Sequence, residues 1–199
     1  MYSPPYNRME ERTELLQFLR ANNFPVIVTK GLQASHLPIT VHEEGEQLVV
    51  DMHMARPNRQ WQAFDGSEVL IIFTGPHAYV SPRWYEDKER VPTWNYTAAH
   101  LYGVPEIIDE KGAKHSGMRN LVAAMDPQWL PQFDALSPEY VERMLGGIVN
   151  FKIPVTRIDT RWKLSQNRGR REMELIAAEL QKQGESALAE LTLKHLVAK

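Results

Sequence analysis

The alternation of apolar and polar residues predicts a protein built mainly from short strands. Five segments are rich in apolar or β-branched residues and are bounded by glycine, proline or acidic turns: 25–30, 33–41, 47–54, 67–74 and 78–81. Gly75-Pro76 is expected to interrupt the last two. A further strand is predicted over 148–164, and residues 105–109 are expected to end a strand at a turn over 110–112.

Helices are predicted at both ends of the chain and between the later strands. Thr13 is a candidate N-cap for a helix through Ala21, and Ser137-Pro138-Glu139 is a strong start for another. The predicted helices cover 13–21, 117–125, 138–145 and a tail over 170–199 that Gly184 splits in two. Residues 92–104 mix aromatic and polar side chains, and we assign them no element.

The regular spacing of the turn-bounded segments favours a small antiparallel barrel over βαβ units. The fold class is therefore mainly β with added helices, that is, α+β. A chain of 199 residues is long enough for one domain with a sizeable core and a helical appendage.

The amino-acid composition excludes several kinds of chemistry for this chain. The chain has no cysteine, which excludes disulfides, thiolate metal sites and a cysteine nucleophile, so redox chemistry would need a bound cofactor. The net charge of −2 does not favour a dedicated DNA-binding domain, although a local basic patch remains compatible with it. No apolar run approaches a membrane span, and we expect a cytoplasmic protein with no membrane partner.

Five strings carry more polar and aromatic residues than a core needs. They are ASHLP (34–38), DMHMARPN (51–58) closed by Trp61, FTGPHAYVSPRWY (73–85), VPTWNY (91–96) and WKLSQNR (162–168). In this order, within a resemblance that runs from Met1 through Asn167, they resemble the PaiB family of FMN-binding negative transcriptional regulators.

The resemblance implies a split β-barrel like that of pyridoxamine-phosphate oxidase, and a homodimer with FMN at the subunit interface. It places an FMN-binding barrel domain at 1–167 and leaves a C-terminal helical extension at 168–199. The same resemblance suggests negative transcriptional regulation. The alternatives are an FMN-dependent oxidoreductase and a non-catalytic module that binds flavin or haem.

The residues themselves suit a flavin nucleotide, which has a phosphate, a polar chain and a flat ring. Arg56 and Lys163 are candidate cations for the phosphate. The candidate hydroxyls are Ser35, Ser81, Thr93 and Ser165, and Tyr79, Trp94 and Trp61 are candidates to flank the ring. His36, His53, Asn95 and Gln166 complete the predicted cofactor set. We expect Ser35, Arg56, Thr93 and Lys163 to converge, and no glycine-rich phosphate loop is present.

Two other kinds of site are weighed against this one. Four histidines lie in or near the strings, but no ligand spacing such as H-E-x-x-H supports a metal, and none is predicted. Arg168, Arg170 and Arg171 form a basic cluster that is a candidate for contact with nucleic acid, although Glu172 and Glu174 dilute it and a charged helix start on a solvated face is the favoured explanation.

Overall fold

The computed structural model describes residues 1–87 and 89–197, and over these ranges it has eight strands and six α-helices. The strands are β1 (Val26–Val28), β2 (Ala34–His36), β3 (Ile39–Glu44), β4 (Gln47–Ala55), β5 (Val69–Val80), β6 (Thr93–Gly103), β7 (Glu106–Ile108) and β8 (Ile148–Lys163). The helices are α1 (Arg12–Ala21), α2 (Lys111–Met125), α3 (Leu130–Asp134), α4 (Pro138–Gly146), α5 (Arg170–Lys182) and α6 (Ser186–Val197).

The strands described here form one sheet in the order β2-β1-β5-β6-β8-β4-β3, with β7 also paired to β8. The pairs β1–β2, β1–β5, β3–β4, β4–β8 and β7–β8 are all antiparallel. The predicted antiparallel split barrel with peripheral helices is confirmed.

The chain divides into two compact units. The first contains 1–18, 74–100 and 159–199, and the second contains 19–73 and 101–158. Strands β5, β6 and β8 each contribute residues to both units.

The core of the first unit contains residues of α1, β8 and the two tail helices. The Phe18 and Trp162 rings lie 4.5 Å apart between centroids. Helices α5 and α6 bury apolar side chains that include Ile176, Leu180 and Leu188, whereas Leu193 of α6 is exposed. Gly184 separates the two helices with a φ of +85°, as predicted. The predicted helical tail also included residues 198 and 199, which lie outside the described part.

The core of the second unit is built on β4 and β8. Met52 pairs with Phe151 and Val50 with Ile153, and all four side chains are buried. Asp51 and His53 lie on the opposite face of β4. Helices α2 and α4 contribute little to this core, because Lys114 is the one buried residue in α2 and α4 has none.

The start of α1 differs from the prediction. Thr13 lies inside the helix rather than capping it. The Glu11 carboxylate accepts hydrogen bonds from the backbone N–H groups of Thr13 and Glu14. Glu11 thus satisfies free N–H groups of the first turn, the role that was predicted for Thr13. Its negative charge also lies at the positive end of the helix dipole.

Two strand boundaries also need correction. The segment 33–41 is not one strand, because it divides at Leu37-Pro38 into β2 and β3, at opposite ends of the sheet. Conversely, β5 continues through Gly75-Pro76. The burial pattern changes phase there, from odd positions before Gly75 to the even positions Ala78 and Val80, so the predicted interruption is a change of face rather than an end.

Two further elements were missed or misplaced. Strand β6 occupies most of 92–104, where no element was assigned, because its buried positions include polar Asn95 and Thr97. Helix α2 begins at Lys111, and the expected turn over 110–112 is its first turn, capped by Glu110 through the N–H groups of Gly112 and Ala113. The start of α4 is confirmed, because the Ser137 hydroxyl accepts from the N–H of Tyr140.

Gly103 supplies a test of the contact between β6 and β8. A Cβ at this position would collide with the carbonyl oxygen of Pro154 and the side chain of Ile153. We expect Gly103→Ala to lower the free energy of unfolding by about 1–3 kcal/mol, the usual cost of overpacking. The measurement is urea denaturation followed by circular dichroism.

Gly146→Ala is the matched control, since nothing lies within 4 Å of a Cβ there. Alanine also has the higher helix propensity, so this change should be neutral or slightly stabilising. Equal stability of the two variants would show that the close approach at Gly103 does not constrain the sheet.

Candidate cofactor site

Eight predicted site residues lie in the first unit, at neighbouring ends of strands. They are Tyr79 and Ser81 at the end of β5, Thr93, Trp94 and Asn95 at the start of β6, and Lys163, Ser165 and Gln166 at the end of β8 or just beyond it. Because β6 lies between β5 and β8 in the sheet, these strings, far apart in sequence, come together here.

Lys163 and Thr93 form the polar centre of this group. The Lys163 ammonium donates a hydrogen bond to the Thr93 hydroxyl. Partial burial lowers the pKa of Lys163, and the nearby positive charge of Arg161 lowers it further. Among the described residues, no carboxylate pairs with this ammonium. The cation and the neighbouring hydroxyl can therefore both bind an anion.

Asn95 and Ser165 lie beside this pair. The Ser165 hydroxyl donates to Asn95 Oδ1 at 3.0 Å, and Asn95 is completely buried. Asn95 Nδ2 has no hydrogen-bond partner within the described residues. Ser165 has a φ of +67°, which is uncommon for a residue with a side chain. An unused buried donor beside a strained residue is a feature of ligand sites.

Two other predicted residues are used by the protein itself. Gln166 Nε2 donates to the carbonyl of Trp162, and its Oε1 accepts from the N–H of Leu164 at 2.7 Å, which holds the turn after β8. The Ser81 hydroxyl accepts from the backbone N–H and from Nε of Arg83, both at 3.3 Å, and so caps the short 3₁₀ turn over Pro82–Trp84.

An exposed aromatic surface accompanies the polar group. The side chains of Trp94 and Tyr79 are 52% and 46% exposed. Their ring centroids lie 6.4 Å apart, and the His77 ring lies 5.8 Å from that of Trp94. Large aromatic side chains left this open commonly serve binding, and a flat ring is a suitable partner for them.

In the second unit, Arg56 and Ser35 are held by neighbouring groups. Arg56 Nε donates to the Gly146 carbonyl at 2.9 Å and Nη2 to the Ile148 carbonyl at 3.1 Å, and the side chain is exposed. The Ser35 hydroxyl accepts from Asn58 Nδ2 at 3.0 Å. These bonds fix both side chains, so they are preorganised rather than free loop residues.

The remaining predicted residues of the second unit are histidines. The exposed His36 ring stacks on Phe24, with centroids 5.6 Å apart. His53 is half-buried on β4, and burial lowers its pKa. Trp61, considered as a ring contact, donates through Nε1 to the carbonyl of Arg56 at 3.1 Å.

Two residues outside the predicted set belong with it by geometry. Asn58 orders Ser35, and His77 extends the aromatic surface of Trp94. Both stand in the strings quoted above, and each lies two positions from a predicted residue, namely Arg56 and Tyr79. For His77 the strand period of two is the signal that would have included it.

The candidate nucleic-acid cluster is partly engaged in the first unit. The Arg168 guanidinium lies 5.1 Å from the ring centroid of Tyr85, and Arg171 pairs with Glu86 at 3.3 Å. Arg170 is exposed at the start of α5. Among the described residues no group of histidine, aspartate and glutamate side chains is arranged to hold a metal ion. Of the helices described, none has the length and apolar composition to cross a membrane.

Comparison with known proteins identifies the family. The profile of the family described as "Putative FMN-binding domain" matches residues 1–157. This chain belongs to that family. It is also 36% identical over 197 residues to the protease synthase and sporulation protein PAI 2 of Bacillus subtilis (strain 168), covering 91% of this chain and 89% of that protein. The PaiB resemblance is thereby confirmed, and membership of an FMN-binding family supports a flavin as ligand.

Solved structures share the fold at low sequence identity. The flavocytochrome Anf3 from Azotobacter vinelandii has a TM-score of 0.63 at 15% identity, over 79% of this chain and 69% of that one. The FAD and heme binding protein from Mycobacterium smegmatis has a TM-score of 0.59 at 17% identity, over 79% of this chain and 73% of that one. These likenesses show that other proteins use the same split barrel.

His53 gives a pH prediction for the stability of the fold. Because burial lowers its pKa, the unfolded chain binds a proton that the folded chain does not, from the usual histidine value of about 6.5 downwards. Stability should therefore fall as the pH drops through that window. We expect His53→Gln to lessen this loss, measured as urea midpoints between about pH 7 and pH 5.

Asp51, on the same face of β4, acts in the opposite direction. Burial raises the pKa of its carboxyl, so its contribution makes the fold more stable as the pH falls. If the urea midpoints of the wild type and of His53→Gln fall in parallel over the whole pH range, the loss of stability in acid arises from another group.

Proposed function

We propose that this chain binds FMN and that the strand ends of the first unit form the centre of the flavin site. The observation that carries the proposal is the half-buried Lys163 ammonium bonded to Thr93, next to the completely buried Asn95 amide with an unused N–H donor. A cation with a hydroxyl suits a phosphate, and a buried amide donor suits a ribityl hydroxyl or a ring carbonyl.

The aromatic surface of Trp94 and Tyr79 suits the isoalloxazine ring. A flavin laid against these rings would remove from water the area that the chain leaves exposed. We further propose that a second copy of the chain covers the other side of the ring in a homodimer. Aromatic side chains such as these are enriched in the core of such an interface.

Ser35, His36, His53 and Arg56 extend this proposal to the second unit. Arg56 keeps unused guanidinium donors after its two bonds to carbonyl groups, so it suits a second cation for the phosphate. That these residues join Thr93 and Lys163 around one ligand stays a prediction, which single-site flavin titrations test residue by residue.

The first test is the visible spectrum of the purified protein, with and without added FMN. We expect flavin absorption and release of FMN on denaturation. Lys163→Met should weaken FMN binding by about 1–3 kcal/mol, the value of a charge-assisted hydrogen bond to phosphate. Riboflavin, which lacks the phosphate, should bind the variant and the wild type equally.

Lys182→Met is the control, because Lys182 lies on α5 and pairs with Glu179 on the surface. It should bind FMN like the wild type. Protein that stays colourless and takes up no added FMN would refute the proposal. A strong Soret band in place of the flavin bands would instead favour haem, for which the exposed His77 beside Trp94 is a candidate ligand.

We extend the proposal to negative regulation of transcription in the cytoplasm, as the PaiB resemblance suggests. Arg170 supports it most, since it is exposed, whereas Arg168 lies over Tyr85 and Arg171 is paired with Glu86. FMN-dependent oxidoreduction is the competing function, and flavin reduction by NADH or NADPH at a useful rate would favour it.

A DNA-binding measurement tests the regulatory role. Changing Arg168, Arg170 and Arg171 together to alanine should weaken binding to a promoter fragment and flatten its dependence on salt, because fewer phosphate contacts release fewer counterions. The flavin spectrum should stay unchanged. Equal DNA affinity and equal salt dependence of the two proteins would exclude this surface from DNA contact.

A further inference from the structure

A cavity in the second unit lies apart from the residues assigned to the flavin. It is open to solvent, has a volume of about 580 Å³ and is lined by the start of α2, the segment before α4, and α4. This volume falls within the usual range of small-molecule sites. Its apolar wall consists of Leu136, Pro138, Val141 and Leu145.

The polar side of the cavity carries an unusual buried lysine. Lys114 is 8% exposed and is the one buried residue of α2. Its ammonium bonds at 3.1 Å to Asp109, whose side chain is 84% exposed, and Asp109 is its one hydrogen-bond partner among the described residues. An ammonium has three N–H donors, so two remain for a ligand that enters the cavity.

The other charged residues at the cavity do not supply partners for the remaining N–H groups of Lys114. Lys111 pairs with Glu142, and both side chains are largely exposed. The His115 ring lies against Phe133, with centroids 5.4 Å apart. Lys114 is therefore the cation that an incoming acid would reach, because its one partner, Asp109, forms an exposed ion pair that contributes little.

We propose that this cavity binds a small organic anion with an apolar body. Its acid group would accept hydrogen bonds from the Lys114 ammonium, and its hydrocarbon or aromatic part would lie against Leu136, Val141 and Leu145. The same ligand would add to the packing of α2 and α4, two helices whose residues other than Lys114 are at most half-buried.

The test compares 2-naphthoate with the neutral 2-naphthamide in calorimetric titrations of the full-length protein. Wild-type protein should bind the acid more tightly than the amide. Lys114→Met keeps the length of the side chain and removes its charge, so it should weaken naphthoate binding roughly tenfold to a hundredfold and leave naphthamide unchanged. Lys182→Met, on α5, should match the wild type for both probes.

Val141→Trp is the second variant. Val141 is only half-buried, so the larger side chain should be tolerated while it fills the cavity and abolishes binding of both probes. Thermal melts confirm that each variant is folded. FMN titration of Lys114→Met should match the wild type, which separates this site from the proposed flavin site.

Three outcomes would overturn the proposal. The first is no binding of naphthoate by the wild type. The second is naphthoate binding that survives both Lys114→Met and Val141→Trp. The third is wild-type protein that self-associates through this face and ignores naphthoate, while Val141→Trp is monomeric, since the cavity would then be an interface between copies.

Discussion

The structure depends above all on the backbone hydrogen bonds of β8. This 16-residue strand pairs with β4 and β7 through its first half and neighbours β6 in the sheet. A strand interior with partners on both sides has almost no unsatisfied N–H or C=O groups, which fixes its register. Lys163 is the last residue of this strand, beyond the part that pairs with β4.

Near the candidate site, the fold is destabilised by polar groups that are buried without a full set of hydrogen-bond partners. Asn95 and Thr97 occupy inward positions of β6 where an apolar side chain would cost less. Ser165 adopts a left-handed backbone conformation, and its hydroxyl donates its hydrogen bond to Asn95. Unfavourable conformations of this kind persist only where the surrounding structure holds them in place, and they are concentrated at ligand sites. A flavin that accepts a hydrogen bond from Asn95 would offset part of this cost, so affinity and stability would be linked.

The sequence predicted those elements whose pattern reflects packing on one face. Alternation along β4, the cap of α4 by Ser137 and the break at Gly184 each express one local preference, and the structure has all three. Strand β6 escaped prediction because polar Asn95 and Thr97 reverse the expected alternation. Among the candidate site residues, the strings indicated which side chains to consider. They could not show that Gln166 holds its own turn or that Arg56 anchors two carbonyl groups, because both depend on the conformation of segments that no pattern specifies.

The second unit shows how two features can share one backbone group. Gly146 lines the cavity between α2 and α4, and its carbonyl oxygen also accepts the hydrogen bond from Arg56 Nε. A ligand that tightens the end of α4 would therefore change the freedom of the Arg56 guanidinium. If Arg56 holds the flavin phosphate, occupancy of either place must change affinity at the other by the same factor, since coupling free energies are reciprocal. The coupling requires no movement of the sheet, because ordering an under-packed helix is enough to transmit it.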